Sequence, residues 1–253
     1  MTRSRSVIAN PWQRLRALTP ARIALGRAGA SLPTDEVLRF GLAHARARDA
    51  VHRALDADRL EQDLRAAQFE TLRVHSAAPD RRAFLLRPDL GRRLSRDSAD
   101  ALRARQSAGA DLCFVIGDGL SSAAVQRHAL PLLAAFRALG GSWSATPVVV
   151  ALQSRVALGD EIGELLRARL AAILIGERPG LSAPDSLGVY LTYEPRVGRS
   201  DAERNCVSNI RPEGLTYAEG ARKIRWLIGE ALRLRLTGVQ LKDDSDSTSR
   251  VTA

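Results

Sequence analysis

Cysteine is scarce: Cys113 and Cys206 are the only two in 253 residues. A disulfide scaffold is thereby excluded, and a reducing cytoplasm fits best. No run of about eighteen apolar residues occurs, so no transmembrane helix is expected. The opening MTRSRSVIANPWQRLRALTP has no apolar h-region, and no secretory signal is read from it. Aromatic residues make up only 4% of the chain, and none are interleaved with basic runs to stack on unpaired bases. Lysine stands only at 223 and 242, so 36 of the 38 basic residues are arginine.

What is present is a globular composition, 45% hydrophobic and 26% charged. It rules out wholesale disorder and collagen-like order. The length suits one large domain or two small ones. A net charge of +10 invites a nucleic-acid reading. However, the pairs Arg46 and Arg48, Arg81 and Arg82, Arg92 and Arg93, and Arg233 and Arg235 are spread along helices among Asp and Glu. A solvated surface, or one that meets an acidic partner, explains them as well.

Residues 1–20 read as an extended arm and 21–105 as a mainly helical part. Thr34 before Asp35 and Glu36 reads as a capping hydroxyl ahead of acids in a first turn. The apolar stripe Val37, Phe40, Leu42, Ala45 and Val51 then extends that helix to about Leu55. A short helix is expected over Arg59–Ala67, strands at Leu72–His75 and Ala83–Leu86, and a helix near Ser95–Gln106. From there the pattern changes. Leu112–Ile116, Thr146–Leu152, Ala171–Ile175 and Leu187–Tyr193 are continuous apolar runs. Helical stretches at Ser121–Leu139 and Gly159–Leu170 lie between the first three. Such runs are strands covered on both faces, which predicts an α/β fold with a Rossmann-like, mostly parallel sheet over 106–240. Thr216 to Glu219 is a capping box opening a helix to about Leu236. The remainder, 241–253, reads as a disordered tail.

Three places carry candidate chemistry. Gly117-Asp118-Gly119 joins a strand to a helix, where open sheets bind ligands; a plain turn explains it equally. It is neither G-x-G-x-x-G nor a Walker loop. Gly176-Glu177-Arg178-Pro179-Gly180 ends the third strand and sets a carboxylate and a guanidinium at a Pro-fixed turn. The alternative is a surface Glu–Arg pair. Arg204 to Ile210 is polar around Cys206, and with no His beyond position 128 the thiol reads as a small packing residue rather than a nucleophile. His44 and His52 lie eight apart on one helix with no acid or Cys to complete a metal set.

The order of motifs resembles the light chain of ethanolamine ammonia-lyase. The stretches are ARIALGRAGASLPTDEVLRF (21–40), RPDLGRRL (87–94), VIGDGLSS (115–122), DEIGELL (160–166), ILIGERPGLSAPDSL (173–187), and NCVSNI with RPEGLTYAEGA (205–221). The resemblance implies a non-catalytic-barrel subunit that works with a heavy chain, a (β/α)-barrel holding ethanolamine, in a hexamer of heterodimers. It implies adenosylcobalamin, base-on, at the subunit interface, and the absence of an Asp-x-His-x-x-Gly motif agrees with a base-on cofactor. Breakage of the cofactor's Co–C bond would start a radical deamination to acetaldehyde and ammonia. Cofactor contacts carry over to Val156, Glu177 and Cys206, with Asp118, Ser208 and Asn209 as neighbours of the same cleft. No catalytic residue, metal ligand, nucleic acid or membrane contact is implied. The expected location is the bacterial cytoplasm, or a bacterial microcompartment where the organism makes one. From the residues alone, two other classes stay open: a stand-alone Rossmann-like nucleotide-binding enzyme and an arginine-rich nucleic-acid-binding module.

Overall fold

A computed structural model describes residues 7–245. The chain order is α1 (Thr34–His52), α2 (Ala57–Ala66), β1 (Thr71–His75), α3 (Arg81–Leu86), α4 (Arg96–Ala104), β2 (Ala110–Gly117), α5 (Ser122–Ala138), β3 (Val148–Leu152), α6 (Leu158–Leu165), β4 (Ala168–Gly176), β5 (Leu187–Tyr193), β6 (Arg204–Ile210) and α7 (Tyr217–Leu234). The six strands form one sheet in the order β1-β3-β2-β4-β5-β6. Pairing is parallel from β1 to β4 and antiparallel for β4–β5 and β5–β6, so the sheet is mixed where a mostly parallel one was expected. The cause is the link between β4 and β5. It carries Pro179, Gly180 and Pro184 and no helix, and a parallel return in so few residues needs a crossover helix.

Alternation along the strands divides the core. Leu112, Phe114, Ile116, Val148, Val150, Leu170, Leu174, Leu187, Val189 and Leu191 face α2, α5 and α7. Cys113, Val115, Val149, Ala151, Ile173 and Ile175 face the other way, into a cluster with residues of α4 and α6. Burying one such Leu, Ile or Val side chain stabilises the fold by about 1.5–3 kcal/mol. The capping box at α7 is present: Thr216 Oγ1 accepts from Glu219 N while a Glu219 carboxylate oxygen accepts from Thr216 N. Ser121 caps α5, accepting from Ala124 N.

Several local expectations are corrected. Residues 83–86, read as a strand, belong to helix α3, because the Asp80 side chain accepts from Ala83 N at 2.7 Å and caps a turn there. Thr34 is the first helical residue rather than the cap. Pro33 takes the cap position, without a side-chain bond. Helix α6 stops at Leu165, not Leu170, since Arg167 takes a left-handed turn with φ 54° and β4 begins at Ala168. Residues 204–210, read as a polar segment, are strand β6. Within the expected arm, Gln13–Ala17 form a 3-10 turn, and Ile8 bridges Arg27. In the expected tail, Leu241 is buried and Asp243 pairs with Lys223 at 3.3 Å; residues 246–253 of that tail lie outside the described residues.

Candidate functional site

The edge of the sheet beyond the C-terminal ends of β3 and β4 gathers the candidate residues. Glu177 follows Gly176, the last residue of β4, and its N–H donates to Ser186 O at 3.0 Å. Its side chain folds back over β5 at Gly188. A Cβ built at 188 would overlap Glu177 Oε1, so only glycine leaves the carboxylate this position. Oε1 accepts a hydrogen bond from the Tyr190 hydroxyl at 3.0 Å. No described residue donates to Oε2, which leaves that oxygen for a ligand N–H or O–H. Burial raises the carboxyl above the ordinary glutamate range, opposed by the Tyr190 bond.

Tyr190 lies directly opposite Cys206 in the β5–β6 register. Even-numbered β5 residues point away from the α7 side, so Gly188 and Tyr190 share an open face with Cys206. A register shift in the pairing falls at Ser208 and Asn209, and Asn209 is left-handed at φ 57°. Both residues are exposed as a result. Glu177, Arg178, Tyr190, Cys206, Ser208 and Asn209 thus line one cleft of about 410 Å³. Cys206 is solvent-accessible, yet crowding in the cleft pushes its thiol up to about 11. At neutral pH it is a neutral packing group and not a thiolate nucleophile.

Val156 sits elsewhere. It lines a neighbouring cavity of about 580 Å³ with Arg92, Arg93, Arg155, Arg199 and Arg204. The turn that carries it is fixed by Asp118, whose carboxylate accepts from Gln153 N at 3.0 Å and Ser154 N at 2.8 Å. Asp118 is buried, with Arg81 Nη1 3.7 Å away, and burial raises its carboxyl. It lines neither cleft, so its part is to hold the loop. The loops that carry the two clefts follow β3 and β4, which flank β2 in the sheet. The Arg155 guanidinium is depressed first by burial, then by the charges of Arg81, Arg92 and Arg178. Arg178 belongs to the Glu177 cleft, Arg92 and Arg155 to the Val156 cavity.

The glycine loop 117–119 is filled by the chain itself. Leu120 N donates to Gly176 O at 2.9 Å, and a Cβ on Gly119 would collide with Gly176. The start of α5 is buried, and Ser121 Oγ donates to Pro184 O at 2.8 Å. A phosphate has no room there, which removes the observation behind the nucleotide reading. Among the basic pairs, Arg81 turns inward to Val51 O and Gly119 O, Arg93 pairs with Glu161 and Arg233 with Glu230. These are structural contacts rather than a free cationic stripe. Sequence reasoning missed Tyr190, Gly188 and Arg155. The period-2 pattern of 187–193 could have placed the first two on one face, but only the strand register brings Cys206 to them.

A family model described as ethanolamine ammonia-lyase light chain matches residues 9–242. The ethanolamine ammonia-lyase small subunit of Xanthomonas campestris pv. campestris is 59% identical over 240 residues, covering 93% of this chain and 88% of the relative. Small subunits from Azotobacter vinelandii, 57% identical over 94% of this chain and 90% of the relative, and Pseudomonas fluorescens, 56% identical over 93% and 88%, are similar to the same extent. The chain belongs to the ethanolamine ammonia-lyase light chain family.

Proposed function

We propose that this chain is the cobalamin-covering subunit of a two-subunit lyase, binding adenosylcobalamin, base-on, between itself and a large subunit that holds ethanolamine. The observation that carries the reading is the Glu177–Tyr190–Cys206 cleft. A corrin edge is rich in amide N–H donors, and Glu177 presents an unused acceptor oxygen beside polar Ser208 and Asn209. Val156 adds an apolar wall in the adjoining cavity. The residues therefore fit a large, amide-fringed group spanning both clefts. When bound, that group supplies the radical chemistry that converts ethanolamine to acetaldehyde and ammonia. This chain's residues bind, orient and exclude water; the neutral Cys206 thiol and the half-buried Glu177 serve as contacts, not as acid or base.

The partner reading rests on α1. Only Ala50 of its nineteen residues is buried, while Val37, Leu38, Phe40 and Leu42 are exposed at positions that fall on more than one face. A helix apolar on several faces is stable when embedded in protein. A second copy is disfavoured by the charge of +10, and Arg46 and Arg48, which have no carboxylate partner among the described residues, would meet their own kind. The occupant is the large subunit, with an acidic rim around an apolar groove, assembled as a hexamer of heterodimers. The relatives are bacterial, and no described helix is long and apolar enough to cross a membrane. The bacterial cytoplasm, or a microcompartment where one is made, is the proposed location. The test is spectroscopic titration of the co-purified two-subunit complex with adenosylcobalamin. Saturable binding that Glu177→Ala weakens supports the reading; binding to the large subunit alone with equal affinity refutes it.

A further inference from the structure

Of the four histidines, only His128 is buried. It stands on α5, and two other parts of the chain meet at its ring. His128 Nδ1 and the Tyr217 hydroxyl, at the start of α7, are hydrogen-bonded at 2.8 Å. Nε2 faces Asp185 of the β4–β5 link (177–186), whose Oδ2 lies 3.7 Å away, too far for a hydrogen bond. Nε2 is itself buried with no hydrogen-bond partner among the described residues. The same Oδ2 already accepts from Arg127 Nη1 at 2.7 Å, so the ring meets a carboxylate whose charge is taken. A proton on the ring would set a second cation beside Arg127, away from water. Burial accordingly holds His128 below the ordinary 6.5, opposed by the Asp185 carboxylate and reinforced by Arg127. Glu213, ahead of α7, and Tyr217 are the other titratable groups around the ring. Arg53 and Asp56 reach α5 at Ser122 and Gln126, and β4 and β5 present apolar side chains to that helix.

Asp185 belongs to the part of the link that rests on α5. Beside it Ser121 Oγ donates to Pro184 O at 2.8 Å, and at the base of the link Glu177 N donates to Ser186 O at 3.0 Å. Towards its tip the link bonds to itself, Gly180 N donating to Ala183 O at 3.1 Å. Lifting the Asp185 segment off α5 would bring water to Nε2, and a hydrated imidazole takes a proton readily. The lifted link then binds a proton better than the seated one, so acid favours lifting.

We propose that His128, Asp185 and Arg127 form an acid-released latch that seats the β4–β5 link against α5. The latch is a property of this chain whatever the cleft holds, and so goes beyond the cofactor reading. Its consequence is local: the link supplies Arg178, Gly180, Ala183 and Ser186 to the Glu177 cleft, and release loosens that wall.

Hydrogen–deuterium exchange of the two-subunit complex, with no cofactor added, measures protection of 177–186 at pH 7.5 and 5.5. Each rate is divided by that of an unstructured chain at the same pH. Wild-type protection of the link should fall about threefold or more on acidification, while peptides across α7 keep theirs. His128→Gln cannot take up the proton and should lose this pH dependence. Asp185→Asn should lower link protection severalfold already at pH 7.5, with α7 protection showing that the variant is folded. Unchanged wild-type protection at pH 5.5, or an equal fall in His128→Gln, overturns the latch. Full link protection in Asp185→Asn at pH 7.5 overturns it too, and that result stands even where His128→Gln does not fold.

Discussion

The carboxylate of Glu177 occupies the space that a side chain on Gly188 would fill, and the Tyr190 hydroxyl two residues further along β5 holds it there. Gly188→Ala should therefore leave the fold intact, because the obstructing atom is the far end of a flexible side chain, while swinging Glu177 out of the cleft. Cobalamin affinity should fall by about tenfold or more, for a loss of roughly 1.5–3 kcal/mol. Thermal melting of the variant should stay close to wild type. Full affinity in Gly188→Ala would show that the Glu177 position is immaterial.

Tyr190→Phe removes the one donor to the Glu177 carboxylate among the described residues. The expected loss of affinity is smaller, about 0.5–1.5 kcal/mol. The pH profile is the sharper reading. Burial raises the Glu177 carboxyl and the Tyr190 bond lowers it, so the variant carboxyl should titrate higher still. A ligand N–H favours the ionised acceptor, so affinity should rise as pH climbs through the Glu177 pKa, in a window above the ordinary 4.5. Tyr190→Phe should move that rise to higher pH, and Glu177→Gln should abolish it. A profile unaltered by either substitution speaks against ligation by Glu177.

Arg204 ties β6 to α6: buried itself, it reaches buried Asp160 at 2.7 Å and Thr192 Oγ1 at 2.9 Å. Arg204→Ala strands a buried carboxylate and should cost about 3–5 kcal/mol. Burial already raises the Asp160 carboxyl, opposed by Arg204. For an acid whose folded pKa is raised, the folded state holds its proton more tightly, and stability falls as pH rises from the unfolded value through the folded one. Loss of Arg204 widens that window, so the variant's deficit should shrink on acidification. Denaturant melts at several pH values check this, and a pH-independent deficit contradicts it.

Leu38→Asp and Phe40→Ser place polar groups on the exposed surface of α1. Each should leave the circular dichroism of the small subunit unchanged while reducing recovery with a tagged large subunit severalfold. Normal co-purification of the double variant would place the interface elsewhere.

Much of the central sheet was legible in the sequence. The apolar runs at 112–116 and 187–193 are strands, and the second has the expected bounds, because strands covered on one or both faces betray themselves by hydrophobicity. Strand β6 escaped for the converse reason. It is an edge strand with one face open to the cleft, its register broken near Asn209, so only Val207 and Ile210 read as core. The antiparallel return of β5 was missed, a mostly parallel sheet having been expected, although the proline-rich link between β4 and β5 holds no helix to carry a parallel crossover. Of the site, the loop position of Glu177 could be argued from residue type. Its partners Tyr190 and Gly188 could not, since they join it through cross-strand register, which one sequence does not reveal. Val156 lies in the adjoining cavity rather than beside Glu177, a separation set by the turn that Asp118 holds.

Hydrogen–deuterium exchange of the two-subunit complex, with and without adenosylcobalamin, tests the cofactor assignment most directly. The account predicts slowed exchange in peptides covering 153–157, 176–180 and 204–209 of this chain, with little change across α7. Protection confined to the large subunit, with those three segments unaffected, would contradict it.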